Sequence, residues 1–168
     1  MRYFIGFIVG VSVSFLLHFS FCTNEKSVIG EAEVMRAASL SYVARIDTGA
    51  RITSIHAYDI NIEDENEDIT QNIGKKIHFT TSNEKDERSE VDTIIVDVKK
   101  VRNAQGIEHR YVIDLPITWH GDTFTSRVNL RDRSRMSYKL LIGRNWLEGR
   151  HIVDVNHGTT INSATKAK

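Results

Sequence analysis

The chain has 168 residues, 22 basic against 22 acidic, and 40% of it is hydrophobic. That length holds one domain and little more, and the even balance of charge gives no concentrated basic face of the kind a nucleic-acid partner requires. The one cysteine, Cys22, excludes an intrachain disulfide, so the fold must rest on its apolar core.

In chain order, the first feature is an apolar stretch, Tyr3 to Cys22, preceded by Arg2 and interrupted by small hydroxyls and His18. As a helix rising ~1.5 Å per residue it reaches ~30 Å, the thickness of a bilayer core. Residues 1–22 therefore read as a signal peptide, cleaved after Ser20-Phe21-Cys22, or as a retained inner-membrane anchor. Either way Arg2 biases the amino terminus to stay inside, and the remainder is expected in the periplasm or on its membrane face. Residues 27–158 form the expected domain and 159–168 a polar tail.

Beyond residue 27 the pattern is one of short alternating runs, the mark of half-buried strands. The expected strands are Val28 to Val34, Ser41 to Asp47, Ser54 to Ile62, Lys76 to Thr81, Val91 to Val101, His109 to Leu115, Thr123 to Leu130 and Ile152 to Val155. Only the residues around Trp146 read as helical, which makes the fold all-β, a small closed barrel or sandwich with one short C-terminal helix. Asn103-Ala104-Gln105-Gly106 and His120-Gly121-Asp122 sit where hairpins would close. Residues 59–68 hold six acids, and Asn83 to Glu90 is again charged; both read as solvated loops.

The chemistry concentrates in Asp47-Thr48-Gly49-Ala50, which follows the apolar alternation of Ala44-Arg45-Ile46. The carboxylate stands on a turn whose glycine lets backbone N–H groups approach it, an arrangement suited to activating water with a second carboxylate. Taken alone, three turn-forming residues also describe an ordinary strand-ending turn. A second segment, Leu140-Leu141-Ile142-Gly143-Arg144-Asn145-Trp146-Leu147, is an apolar run that meets a glycine and opens a short helix.

Together these segments resemble the retroviral-type aspartic proteases. They are more similar still to a bacterial family of retropepsin-like domains long labelled ATP-dependent zinc proteases. The resemblance covers roughly residues 28–156, carried by Ala44 to Ala57, Val101 to Val112, and Leu130 to Leu147 followed by Ile152-Val153-Asp154; Asp59 to Glu90 matches poorly.

The resemblance implies an aspartic endopeptidase with Asp47 as catalytic carboxylate, Thr48 locking paired loops and Gly49 shaping the site. Ala50, Arg51, Gly143, Arg144 and Asn145 would bind substrate or support the turn. Because the chain carries a single Asp-Thr-Gly, either a homodimer supplies Asp47 twice or the domain is a silent peptide- or protein-binding relative. Asp132 and Asp154 are in-chain candidates for a second carboxylate, and either could instead pair with Arg51 beneath the site. A flap is expected at Gln71 to Gly74 or at Asn83 to Glu90.

No cofactor is expected. None of the seven histidines forms His-Glu-x-x-His, and His56, His109 and His120 belong to separate strands, so the zinc of the older label has no ligand set, which leaves a zinc peptidase as the least favoured reading. Gly74-Lys75 lacks the upstream glycine of a phosphate loop.

Overall fold

The computed structural model of the chain describes residues 26–103 and 106–157. Its elements in order are β1 (Ser27–Ile29), β2 (Ala32–Ala37), β3 (Leu40–Ile46), β4 (Thr53–His56), β5 (Tyr58–Ile62), a 3-10 turn (Ile69–Asn72), β6 (Lys76–Ser82), β7 (Arg88–Ile94), β8 (Asp97–Asn103), β9 (Gly106–Trp119), β10 (Asp122–Arg131), β11 (Leu140–Ile142), α1 (Arg144–Leu147) and β12 (His151–Val153). The stretch expected to export or anchor the chain lies outside the described residues, as does the polar tail. Among the described residues no helix is long and apolar enough to cross a membrane.

Strands β10, β4, β11, β3, β2 and β9 follow one another by hydrogen bonding, and β9 pairs back to β10, which closes the ring. The expected all-β closed barrel is therefore present, with one short α-helix among the described residues, Arg144–Leu147, late in the domain. Closure leaves no open edge within the ring. Its interior is filled by residues such as Tyr42, Ala44, Ile55, Ile113, Ile117, Val128, Leu140 and Ile142, each 1% exposed or less. Each fully buried aliphatic side chain contributes about 1.5–3 kcal/mol.

One crossing matters for the site. β11 runs parallel to β3, pairing Ile142 with Ile46, and antiparallel to β4, pairing Leu140 with Ile55. It therefore threads between the strand that enters the Asp47 turn and the strand that leaves it.

Several expected strands are divided. Val28 to Val34 breaks at Gly30-Glu31, because β1 pairs with β12 at the chain termini while β2 joins the barrel. Ser54 to Ile62 breaks at Ala57, where the chain leaves the barrel for an outer sheet of order β5-β6-β7. Val91 to Val101 breaks at Ile95-Val96, where it returns. Residues 59–68 are mostly exposed, yet the first four of them complete β5 and only the rest form the solvated loop. β9 continues past Leu115 through Pro116 to Trp119, with Pro116 opposite Thr125 of β10. The β2–β3 hairpin closes on Ala38 and Ser39, both at positive φ (46° and 63°), without the Asn-Gly signal such turns favour.

Candidate active site

Alternation along β3 turns Tyr42, Ala44 and Ile46 inward and delivers Asp47, half-buried, to the strand's end. The Asp47 N–H donates to Ile142 O at 2.9 Å, so the turn is anchored on β11. The carboxylate then folds back over its own turn: Oδ1 accepts the N–H of Gly49 at 2.9 Å and of Ala50 at 3.1 Å. A Cβ on Gly49 would stand 3.1 Å from that oxygen, which is why glycine suits the position. Oδ2 accepts no hydrogen bond among the described residues. Thr48, at the tip of the turn, is exposed and also makes none.

The Gly143-Arg144-Asn145 segment holds the outgoing side of this loop. A Cβ on Gly143 would lie 2.6 Å from the carbonyl carbon of Ile52 and 2.8 Å from Thr53 N, so only glycine allows the two backbones to meet. The N–H of Arg144 donates to Ala50 O at 2.9 Å and that of Asn145 to Arg51 O at 3.3 Å. Asn145 Oδ1 accepts from both the N–H and the hydroxyl of Thr53, at 2.9 and 3.0 Å. Its Nδ2 donates to Ser126 Oγ at 2.7 Å and Arg127 O at 2.8 Å. Thr53 Oγ1 also accepts Gly143 N–H at 3.1 Å, and Asn129 Nδ2 donates to Thr53 O at 2.9 Å. One carboxamide and one hydroxyl thus join the loop after Asp47 to β10 and to the start of α1.

The side chains of Arg51 and Arg144 play no part in this bracing. Both are exposed and make no ion pair among the described residues. The expected pairing of Arg51 with Asp132 or Asp154 is not what the structure contains. Asp132 accepts Ser134 N–H at 2.8 Å and lies 3.6 Å from His56 Nδ1, while Asp154 accepts Asn156 N–H at 2.9 Å. Both acids close turns of their own.

Next to that loop, Arg133 is 6% exposed and its N–H donates to His56 Nδ1 at 2.9 Å. Burial pushes the guanidinium down to about 10, reinforced by Arg131 and Arg110 and opposed by Asp47. Burial likewise lowers His56, against the pull of Asp132. An imidazole that accepts an N–H at Nδ1 must be neutral there, which agrees with that direction.

Three grooves surround the Asp47 turn. One of about 690 Å³ runs past Thr48, Arg51, Ile52 and Arg144 to Leu147, Glu148, His151 and Val153. A smaller one of about 330 Å³ places Asp47 and Thr48 beside Glu31, Arg45, Ile46, Val153 and Val155. The β1–β12 ribbon exposes Val28 and Ile152 by 43% and 53%, and Val155, just beyond β12 and lining this groove, is 72% exposed. The ribbon is clasped by His151, whose Nδ1 meets Ser27 Oγ at 2.8 Å and whose ring stacks on Trp146 at 4.6 Å.

The third groove, about 610 Å³, lies between Ala50-Arg51-Ile52 and the β8–β9 hairpin, and is lined also by Lys99, Lys100, Val101, Arg110, Arg127, Asn129 and Asn145. Five of its residues are cations. Asp97 pairs with Lys99 at 2.5 Å and Arg127 at 3.8 Å, and Glu108 with Arg110 at 2.6 Å and Arg131 at 3.8 Å. The Lys99 hydrogen bond leads in holding the Asp97 carboxyl below its ordinary range, and Arg110 does the same for Glu108.

Neither segment expected as a flap borders these grooves. Asn72, fully buried, bonds Asn66 O and the Tyr111 hydroxyl. At the β6–β7 turn, Asn83 donates to Ser41 O, and Glu84 accepts from Val43 N–H and Lys139 N–H, which clamps that loop to the far end of β3 from Asp47. The hairpin that faces the loop after Asp47 is β8–β9. Its basic lining was readable in principle: once the Asn103–Gly106 turn fixes the register, Lys99 falls opposite Arg110. Thr53, by contrast, carries no sequence signal beyond following the motif.

Among the described residues no group of three or more His, Cys, Asp or Glu converges as a metal site would.

Comparison with known proteins agrees with this geometry. A protein of unknown function from Legionella pneumophila has a solved structure that aligns with a TM-score of 0.64 and 26% identity, over 81% of this chain and 98% of that one. Among curated proteins, a probable alpha-L-glutamate ligase of Parasynechococcus marenigrum is 31% identical over 138 residues, 78% of this chain and 28% of its own length. One of Shewanella halifaxensis is 28% identical over 136 residues, 79% of this chain and 29% of the relative. The chain therefore spans under a third of these curated relatives. A family model described as retropepsin-like aspartic endopeptidase RimB matches residues 28–163. With the closed barrel, the braced Asp47 turn and a match over most of its length, the chain belongs to this RimB-like family of retropepsin-like aspartic endopeptidases.

Proposed function

We propose that the protein is an aspartic endopeptidase that hydrolyses peptide bonds with a water held between two Asp47 carboxylates, one from each subunit of a homodimer. The observation that carries this reading is the state of Asp47: Oδ1 is fixed by two backbone N–H groups while Oδ2 is left unengaged. In such a dyad one carboxylate accepts a proton from water and the other, protonated, donates to the scissile carbonyl oxygen. One carboxylate cannot do both at once; neither Asp132 nor Asp154 shares a groove with Asp47, and Glu31, which does, is paired with Arg45. A second copy would meet Thr48 and the exposed Val153–Val155 end of the terminal ribbon, which borders Asp47.

The substrate we propose is an acidic peptide. The cleft beside Ala50 presents Arg51, Lys99, Lys100, Arg110 and Arg127; subtracting Asp97 and Glu108 leaves a net charge of +3. A one-signed cleft steers and concentrates ligands of opposite charge. The curated relatives are named as alpha-L-glutamate ligases, which makes a short α-linked glutamate chain the natural probe.

Asp47→Asn tests the chemistry, because the amide keeps the turn's shape but cannot exchange a proton with water. Cleavage should fall by at least about a thousandfold, with folding retained and no sensitivity of the wild type to chelators. Cleavage by Asp47→Asn at the wild-type rate would remove the aspartic mechanism, and loss of wild-type activity on chelation would point to a metal peptidase. A folded wild type that binds the peptide without turnover would make this the silent binding member of its fold.

A further inference from the structure

We propose that Arg110 is the residue that makes the basic cleft select a carboxylate, and that Glu108 occupies its place until a substrate carboxylate displaces it. This rests on the acidic-peptide reading above. The cations of the cleft are not equivalent. The side chains of Lys99 and Arg127 are 41% and 58% exposed, whereas Arg110 is 8% exposed. Exposed cations attract any anion and are screened by salt. A buried guanidinium is different: its fork has fixed geometry, and a ligand gains from it only by presenting a carboxylate that can replace Glu108 on its donor.

Arg110 is also tied to the catalytic loop. Its Nη1 donates to Asn129 Oδ1 at 3.3 Å, and Asn129 Nδ2 donates to Thr53 O, the residue that Asn145 holds. The guanidinium therefore keeps a set position relative to the Asp47 turn. Its Nε, buried, has no hydrogen-bond partner among the described residues.

The carboxylate now on Arg110 belongs to the protein. Glu108 lies two residues earlier on β9, so it projects from the same face, opposite Val101, which lines the cleft. It accepts from Arg110 Nη2 at 2.6 Å, yet its side chain is 38% exposed, enough to swing into water. A substrate carboxylate can take over that donor with no change in the charge count around Arg110. Glu108 thus keeps the buried cation compensated in the empty enzyme and competes with acidic ligands for it.

The test is peptide affinity in full-length protein carrying Asp47→Asn, which removes turnover. The probes are a short α-linked glutamate peptide and the glutamine peptide of the same length. Arg110→Gln should weaken the glutamate peptide on the order of tenfold to a hundredfold, the range for one charge-assisted hydrogen bond, and leave the glutamine peptide unchanged. Glu108→Gln should do the reverse, tightening glutamate binding several-fold without helping glutamine. A folded Arg110→Gln that still discriminates overturns the proposal, as does a Glu108→Gln that fails to tighten. Should Arg110→Gln not fold, the Glu108→Gln result decides alone. If the unmodified cleft does not discriminate glutamate from glutamine, the acidic-peptide reading itself falls; discrimination that survives both substitutions removes only the role of Arg110.

Discussion

Gly143 sets how closely β11 can approach the loop that follows Asp47, and the margin is small. Its missing Cβ would stand 2.6 Å from backbone, not from a side chain that could rotate away. Gly143→Ala must therefore part Ile52-Thr53 from the start of α1, breaking the approach that brings Thr53 Oγ1 onto Gly143 N–H. Overpacking of this kind costs about 1–3 kcal/mol. The expected result is an unfolding free energy lowered by that amount, read as a lower denaturation midpoint at unchanged slope, with peptidase activity lost beyond what stability explains. A Gly143→Ala protein as stable as the wild type would mean that the loop is not held as described. Asn145 acts by bonding and not by packing: a single carboxamide satisfies Thr53, Ser126 and Arg127. Asp47 and Gly49 stood out as a carboxylate on a glycine turn, whereas Gly143 and Asn145 were singled out by the resemblance, and the structure supplies their physical reason.

Elements were legible wherever alternation was uninterrupted, as in β3, β6 and β10. The three divided strands share one cause. Val28 to Val34, Ser54 to Ile62 and Val91 to Val101 each keep an apolar pattern across a point where the chain changes sheets, at Gly30-Glu31, Ala57 and Ile95-Val96. Alternation reports that a residue is buried, not which sheet buries it. Ile95 is wholly buried at such a crossing, and so looks like strand interior. The hairpin at Ala38-Ser39 was silent because neither residue announces positive φ. The basic cleft went unread because Lys99 falls opposite Arg110 only once the β8–β9 register is fixed, and Arg127 joins them only through the pairing of β9 with β10. Arg51 and Arg144, adjacent to the motifs, drew attention for their charge, yet their backbones do the bracing.

At the scale of the whole molecule, pH and assembly act on one closed barrel. His56 and His151 are both held below their ordinary value of 6.5, chiefly by burial. On acidification the unfolded chain takes up these protons before the folded one, so stability is lost as pH falls below about 6.5. Asp97 and Glu108 are also depressed, from 3.8 and 4.5, and their contribution is lost at lower pH still. The expected curve is a stability that declines in two stages on the acid side, read as denaturation midpoints across pH; a stability flat from neutrality to pH 5 would contradict the histidine assignments. The first stage weakens the terminal ribbon clasped by His151. That ribbon borders Asp47, and the central claim is that a second subunit meets it there. The most direct measurement holds wild-type protein fixed, above the dimer dissociation constant, and adds Asp47→Asn protein in excess. If the dyad is shared, hybrids carry one aspartate and are inactive, so a ninefold excess should cut cleavage to roughly a tenth by mass action. Cleavage that stays at the wild-type level whatever the excess would contradict the account, because each chain would then carry its complete catalytic machinery.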